Sequence, residues 1–282
     1  KLWSTRMGMR PHGEVSIRGT GRSYRVYTED GTLLAESGSA RVFKELHPGA
    51  VYMHRGGRYL VRSLHTGTSE VTVKEVDLNY YTTAITSEET EIIREDERKK
   101  VLAFTVSKGS LRTTEETLGY RKKDLATRKV IEERLLDLPP TIFPTKGIWW
   151  VVEEHLIEEI QENGYSTAGS LHALEHALIA ALPLYALCDR NDLGGVSYEL
   201  NPELNAPAIF IYDGHEGGIG LTERGYGVVE SWLRSTLMML EGCKCEISCP
   251  ACTQDPHCGN NNEPLDKRGA TLILKRWLHM KL

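Results

Sequence analysis

The feature that most restricts how this chain can fold is a change of hydrophobic period part-way along it. From Glu14 to Ile93, short runs rich in β-branched and aromatic residues follow one another: EVSIRG, SYRVYT, TLLAES, AVYMHR, RYLVRSL, EVTVKEV, YYTTAIT and TEIIRE. Several alternate apolar with polar residues, and turn formers such as Glu29-Asp30-Gly31, His47-Pro48-Gly49 and Arg55-Gly56-Gly57 separate them. That is the pattern of half-buried antiparallel strands. One helix is expected to interrupt them at Ser39 to Leu46, with Ser39 as N-cap and Val42, Phe43 and Leu46 on one face. A charged patch, Glu91 to Lys100, precedes the strand-like runs VLAFTVS and TLGYRKKD and the rigid stretch LPPTIFPTKGIWWVVEE.

Beyond that stretch the period becomes helical. A short helix is predicted at Glu153 to Glu162, and a longer, almost wholly apolar one from Ala168 to Leu187, which Pro183 should kink or restart. The run APAIFIYDG reads as a buried strand feeding a glycine loop and a helix from Thr222 to Leu240, and an amphipathic helix at Lys267 to Leu278 closes the chain. The expected fold class is therefore α+β, an antiparallel β-rich N-terminal domain followed by an α/β C-terminal domain. A soft boundary between Glu91 and Lys100 divides the chain into residues 1–95 and 96–282.

A chain of 282 residues can bury a core without covalent staples, and no apolar run approaches the ~20 residues that span a bilayer. No membrane partner is expected, and the absence of a charged-then-apolar leader after Lys1 points to a cytoplasmic piece of a longer protein. Charge is uneven: residues 1–150 carry 25 Lys and Arg against 20 Asp and Glu, and the remainder 9 against 19. The basic clusters Arg18, Arg22, Arg25, then Arg55, Arg58, Arg62, then Arg121, Lys122, Lys123 could follow a phosphate backbone, with Tyr80, Tyr81, Trp149 and Trp150 as base-stacking surfaces beside Lys146. Solvated strand faces and packed aromatics are the commoner origins of such residues.

Five of the six cysteines fall in CKCEISCPACTQDPHC, Cys243 to Cys258, with Cys188 far upstream. Thiolates two and three residues apart can converge on one ion, and Zn²⁺ accepts four sulfurs in a tetrahedron. A disulfide framework needs an oxidising compartment, and a dithiol redox site at Cys249-Pro250-Ala251-Cys252 would not be crowded by three further thiols. Structural zinc is the preferred reading. Cys243, Cys245, Cys249 and Cys252 are the most compact quartet, and Cys258 or Cys188 could replace Cys243.

The loop YDGHEGGIGLTERG leaves the buried strand and enters a helix, a geometry suited either to an anion or to a tight packing turn. It matches no nucleotide-binding fingerprint, and G-x-x-x-x-G-K-[ST] occurs nowhere in the chain. Asp213, His215 and Glu216 could serve a metal-dependent hydrolase or nuclease, which is the competing functional reading. His172 and His176 share a helix face with Glu175 between them, but the acid stands beside the second histidine and not the first, unlike H-E-x-x-H, so packed, hydrogen-bonded histidines are expected.

The segments ALCDRNDLGG, IFIYDGHEGGIGL and CKCEISCPACTQDPHCGNNNEPLDK, with HPGAVYMHRGGRYLVRSL and LPPTIFPTKGIWW upstream, resemble the C-terminal region of the MrfA (YprA) type of superfamily-two DNA helicase, including its MrfA zinc-binding domain. The likeness runs from about Val42 to the end. It implies an ATP-dependent, 3′ to 5′ DNA-translocating repair enzyme whose four-cysteine zinc site falls on Cys243, Cys245, Cys249 and Cys252. Cys188 lies in the recurrent C-D-x-x-D-L segment. The RecA-like motor domains that would use ATP and Mg²⁺ are not among these residues, and a winged-helix domain is present at most in part. The resemblance thus implies an accessory region without catalysis of its own, partnered by single-stranded DNA and by motor domains upstream, with Arg55, Arg58, Arg62, Lys146, Trp149, Trp150 and His215 as candidate DNA contacts.

Overall fold

Alternation along β1 (Ser23–Thr28) shows how the first sheet divides water from core: Tyr24 and Val26 are buried, whereas Ser23 and Arg25 are exposed. The computed structural model describes residues 23–279, so the run EVSIRG and the basic residues Arg18 and Arg22 lie outside it. With β2 (Leu33–Gly38), β3 (Val51–His54), β4 (Gly57–His65) and β5 (Glu70–Glu75), β1 forms a five-stranded sheet in the order β2-β1-β5-β4-β3. Three of its pairings are antiparallel, but β1 and β5 run parallel. The long connection through a hairpin, a helix and a second hairpin permits that pairing, which a string of short runs does not announce. The helix α1 (Ser39–Glu45) has Gly38, not Ser39, at its N-cap, and it packs Val42 and Leu46 against Tyr24, Val26, Val61, Val71 and Val73.

The second sheet is built on a long hairpin, β6 (Tyr80–Val101) and β7 (Phe104–Asp124). The charged patch is the interior of β6. Its side chains are mostly exposed and pair across and along the strands, as in Arg112–Glu91 and Lys108–Glu97, so the ladder continues without an apolar face. The division at 95/96 falls inside this unbroken strand, and the chain passes between sheets at residues 76–79. The run VLAFTVS is split by the hairpin turn, where Leu102 adopts φ 51°. β8 (Val130–Leu135) and β9 (Thr141–Val151) share one edge of β7, and β10 (Leu193–Asn201) and β11 (Ala206–Asp213) extend the sheet to the order β10-β11-β9-β7-β6.

Every pairing in this sheet is antiparallel. The second region is accordingly a helix layer on an antiparallel sheet, which keeps the chain α+β but corrects the expected α/β unit. Its helices are α2 (Glu154–Glu162), α3 (Thr167–Ala181), α4 (Leu221–Gly227), α5 (Val229–Gly242) and α6 (Lys267–Trp277). Ser166 caps α3 by accepting from Gly169 N, and Pro183 ends it by placing Leu182–Leu184 in a 3₁₀ turn. The single helix expected from Thr222 to Leu240 is two, broken at Val228, where Gly227 and the β-branched Val228 and Val229 weaken helix propagation.

Successive residues of β9 face opposite ways, and both faces are covered. Ile148, Trp150 and Val152 enter the core under the helices, where Trp150 meets Trp232 edge-on at 5.6 Å and stacks on Trp277 at 6.4 Å. Phe143 and Trp149 join Leu111 and Phe210 on the other face. Trp149 and Trp150 are 1% and 0% exposed, so neither presents a ring to a base, which corrects their reading as stacking surfaces. The two sheets meet where Lys44 Nζ of α1 reaches Glu88 and Glu115 of the hairpin, each at 3.0 Å, and where Val51 N donates to Thr82 Oγ1 at 2.8 Å. The two carboxylates hold the Lys44 ammonium above its ordinary pKa in spite of its burial.

Candidate metal centre

The segment between α5 and α6 is neither helix nor strand, so something other than a backbone ladder must fix it. Its first four thiols converge. Cys243 Sγ lies 3.7 Å from Cys245 Sγ and 3.3 Å from Cys249 Sγ, and Cys252 Sγ lies 3.4 Å from Cys245 Sγ and 3.7 Å from Cys249 Sγ. All four are free thiols. A tetrahedron with Zn–S bonds of ~2.3 Å has edges of about 3.7 Å, so the donor set and its spacing fit Zn²⁺. Backbone supports the arrangement: Cys249 O accepts from the N–H groups of Cys252, Thr253 and Gln254, and the buried Lys267 Nζ donates to Cys243 O at 2.9 Å and to Cys245 O. With four protein sulfurs such a site is closed, and its chemistry is structural.

The two remaining cysteines have different surroundings. Cys188 is not one of the four converging thiols; burial pushes its thiol up, with Asp192, Asp189 and Asp213 acting in the same direction. Cys258 lies against α3, with its sulfur 3.5 Å from His172 Nε2. One ring nitrogen each of His172 and His176 and the Cys258 sulfur lie within 4.8 Å of one another. Each imidazole directs Nδ1 at a backbone carbonyl, His172 at Pro264 O (2.8 Å) and His176 at Thr253 O (2.7 Å). Burial lowers the pKa of both rings, that of His176 to about 4, and raises that of Cys258 to about 11. The hydrogen-bonded histidines were readable from the sequence. Their meeting with Cys258 was not, because 86 residues separate His172 from that thiol; the i,i+4 histidine pair and one surplus cysteine were the only signals.

The glycine loop proves to carry its own anion. Asp213 is fully buried, and its carboxylate accepts from Ile219 N (2.6 Å), Gly220 N (2.7 Å), Leu221 N (3.1 Å), Thr222 N (2.8 Å) and Thr222 Oγ1 (2.7 Å). Gly217, Gly218 and Gly220 take φ of 80°, 75° and 88°, which allows the N–H groups to turn inward. His215 Nε2 bonds Asp192 Oδ1 at 3.1 Å. A carboxylate with five donors on it has little left for a metal or a water, and Asp213, His215 and Glu216 do not form a metal-ligating group among the described residues. The loop is a packing turn closed by a charge, which disfavours the hydrolase reading.

The expected DNA contacts are scattered. Arg55 is exposed on the β3–β4 turn, Arg58 is tied to Asp77 and Leu78 O, and Arg62 faces Glu29 at 3.5 Å. Lys146 bonds Asp96 and Ser110 beside the glycine loop on the other sheet. A cleft of about 300 Å³ between the sheets gathers Arg62 and Tyr80 with Lys122, Arg134 and Tyr120, of which Arg134 and Tyr120 carry no signal in the sequence. Lys122 and Arg134 share one carboxylate, Glu132, and Lys122 Nζ lies 5.4 Å from the Tyr80 ring.

The family profile described as MrfA Zn-binding domain matches residues 174–253, which include the four converging cysteines. An uncharacterized protein of Methanocaldococcus jannaschii, MJ1572.1, is 42% identical over 111 residues, 38% of this chain and 99% of that protein. The chain belongs to the MrfA zinc-binding domain family. Two larger proteins of the kind are similar to it: ATP-dependent helicase HRQ1 of Saccharomyces cerevisiae, 26% identical over 86% of this chain and 24% of its own length, and the uncharacterized ATP-dependent helicase YprA of Bacillus subtilis, 27% identical over 73% of this chain and 27% of its own. The chain thus spans about a quarter of the length of these helicases. The crystal structure of DUF1998 helicase MrfA bound to DNA shares the fold over 95% of this chain and 36% of that one, with TM-score 0.58 and 22% identity; MrfA alone gives TM-score 0.62 and 20% identity over 93% and 36%. No helix among the described residues is long and apolar enough to cross a membrane.

Proposed function

We propose that this chain is a zinc-stabilised accessory region of an ATP-dependent, 3′ to 5′ DNA helicase of DNA repair, acting in the cytoplasm. It helps to hold and guide single-stranded DNA while motor domains outside these residues hydrolyse ATP with Mg²⁺. The observation that carries this reading is kinship with two ATP-dependent helicases over most of the chain, in residues that contain no phosphate loop of their own. Zn²⁺ on Cys243, Cys245, Cys249 and Cys252 fixes the segment between α5 and α6. The cleft of Arg62, Lys122, Arg134 and Tyr80 is where a strand meets cations and a half-exposed ring, the two elements that single-strand binding combines. Asp213, being an internal cap, belongs to the scaffold.

Fluorescence anisotropy with labelled single strands over a salt series tests the DNA assignment. Binding should weaken as salt rises, and changing Arg62, Lys122 and Arg134 together to Ala should flatten the slope of log K against log salt by about 0.7 for each phosphate that no longer meets a cation. Unchanged affinity and slope in the triple variant would remove the cleft from the DNA path. Metal analysis tests the zinc: the Cys249→Ser, Cys252→Ser variant should lose one ion per chain, and a native segment between α5 and α6 in a zinc-free chain would refute the site.

A further inference from the structure

Of the two thiols outside the four-sulfur site, that of Cys258 has two histidine neighbours, and the three groups converge within 4.8 Å of one another. We propose that His172, His176 and Cys258 form a second metal site, for a borderline-soft divalent ion of the Zn²⁺ class, with one coordination position left to water. An edge between a nitrogen at ~2.05 Å and a sulfur at ~2.3 Å from tetrahedral zinc measures about 3.6 Å, and the His172 Nε2 to Cys258 Sγ separation is 3.5 Å.

The surroundings prepare each ligand. A carbonyl oxygen can only accept, so the contacts to Pro264 O and Thr253 O place the ring proton of both histidines on Nδ1 and leave Nε2 with its lone pair. A metal-bound histidine needs that arrangement, with the second nitrogen donating to an outer partner. The sulfur in turn accepts the Asn262 N–H at 3.3 Å, which favours thiolate. A single thiol proton can satisfy only one of the two imidazole lone pairs, whereas a cation engages both and balances the sulfur's charge. Imidazole and thiolate suit zinc and not the oxygen-seeking Mg²⁺ or Ca²⁺. Asp255 acts electrostatically on both rings but is occupied by Arg190 (2.7 Å) and by the N–H of His257 (2.7 Å), so the fourth position falls to solvent.

The site would join two layers. His172 and His176 sit on the largely buried α3, whereas the Cys258 turn is held on the β6–β7 hairpin by Arg121, which donates to Gly259 O at 3.0 Å, and by Lys123, which donates to Asn261 Oδ1 at 2.5 Å. This assignment is independent of the four-sulfur site, and its test keeps the two apart.

The full chain, stripped of metal, is titrated with Co²⁺ under reducing conditions and followed by absorption and by metal analysis. Two ions should bind per chain, one with the intense thiolate bands of a four-sulfur site and one with the weaker bands of a single thiolate with two imidazoles. Cys258→Ser combined with His176→Asn should remove the second signal and leave the first, and Cys249→Ser with Cys252→Ser should do the reverse. Saturation of the unaltered chain at one ion with a pure four-thiolate spectrum would overturn the proposal and leave a thiol–imidazole hydrogen bond only. That measurement needs no variant to fold. Retention of two ions in a folded Cys258→Ser, His176→Asn chain would overturn it equally.

Discussion

Two irregular stretches, the glycine loop Gly214–Gly220 and the cysteine segment from Cys243 to Asp266, solve the same problem in opposite ways. Each leads into a helix and exposes backbone groups that no ladder satisfies. In the first, N–H donors of the loop and of α4 gather around a charge the chain supplies itself, the Asp213 carboxylate. In the second, four thiols, all of them donors to soft or borderline metal ions, gather within 4.8 Å of one another. The glycine loop is electrostatically complete, so it reads as scaffold. The cysteine segment instead gathers four sulfurs at 3.3–3.7 Å, a donor set that a divalent cation completes by taking the place of the thiol protons. The contrast separates the zinc reading from the hydrolase reading more sharply than any motif does.

Removing zinc should affect the two loops most unequally. A strong chelator at neutral pH should cost on the order of several kcal/mol in the cysteine segment, since binding energy there is ordering energy. Hydrogen exchange would show the amides of Cys252, Thr253 and Gln254 losing protection, while those of Ile219 to Thr222 keep theirs. Equal deprotection of both loops would mean that they form one cooperative unit and that the distinction is empty.

The reciprocal change is Asp213→Asn, which keeps the side chain's shape but replaces one carboxylate oxygen, the acceptor of either two or three of the five donors, by an NH2 group that can only donate. It should destabilise the chain by about 2–4 kcal/mol, because hydrogen bonds to a buried charge are among the stronger ones. Urea unfolding measures this, and the zinc content of the folded fraction should not change. A variant of unaltered stability would make Asp213 a candidate functional group again.

How far the sequence disclosed these two loops follows from how local their partners are. The cysteine quartet spans only Cys243 to Cys252, so its spacing alone was sufficient to find it. Asp213 and its donors are also close in sequence, but glycines before a helix fit an external anion as well as an internal one. Only the position of the carboxylate decides. The His172–Cys258 meeting and the β1–β5 parallel pair depend on long-range register, which leaves no periodic trace. The charged interior of β6 reads as a boundary for another reason: a mostly exposed strand has the composition of a linker, and its cross-strand ion pairs appear only once β7 lies beside it. Trp149 and Trp150 were ambiguous because adjacent aromatics in a strand face opposite ways, and burying both requires a layer on each side of the sheet.

The smallest effect concerns what anchors the far end of the cysteine segment. Helix α6 continues directly from it and is clamped to α2 by Arg276 and Glu159, a solvent-screened pair near the surface whose contribution is small. The Arg276 guanidinium, hydrogen-bonded to it, holds the Glu159 carboxyl below its usual value of 4.5. A carboxylate depressed in the folded state stabilises fully above that ordinary value and loses its contribution as pH falls through the lower, folded one. Glu159→Gln should therefore lower stability slightly at neutral pH and remove a small part of the acid-induced loss, without moving the pH at which zinc is released, since that midpoint follows protonation of the thiolates. Urea midpoints and zinc release, each followed from neutral pH downward in both chains, measure the two separately. If Glu159→Gln shifts the zinc-release midpoint, the α2–α6 clamp is coupled to the metal centre, and the cysteine segment is held by more than its ion.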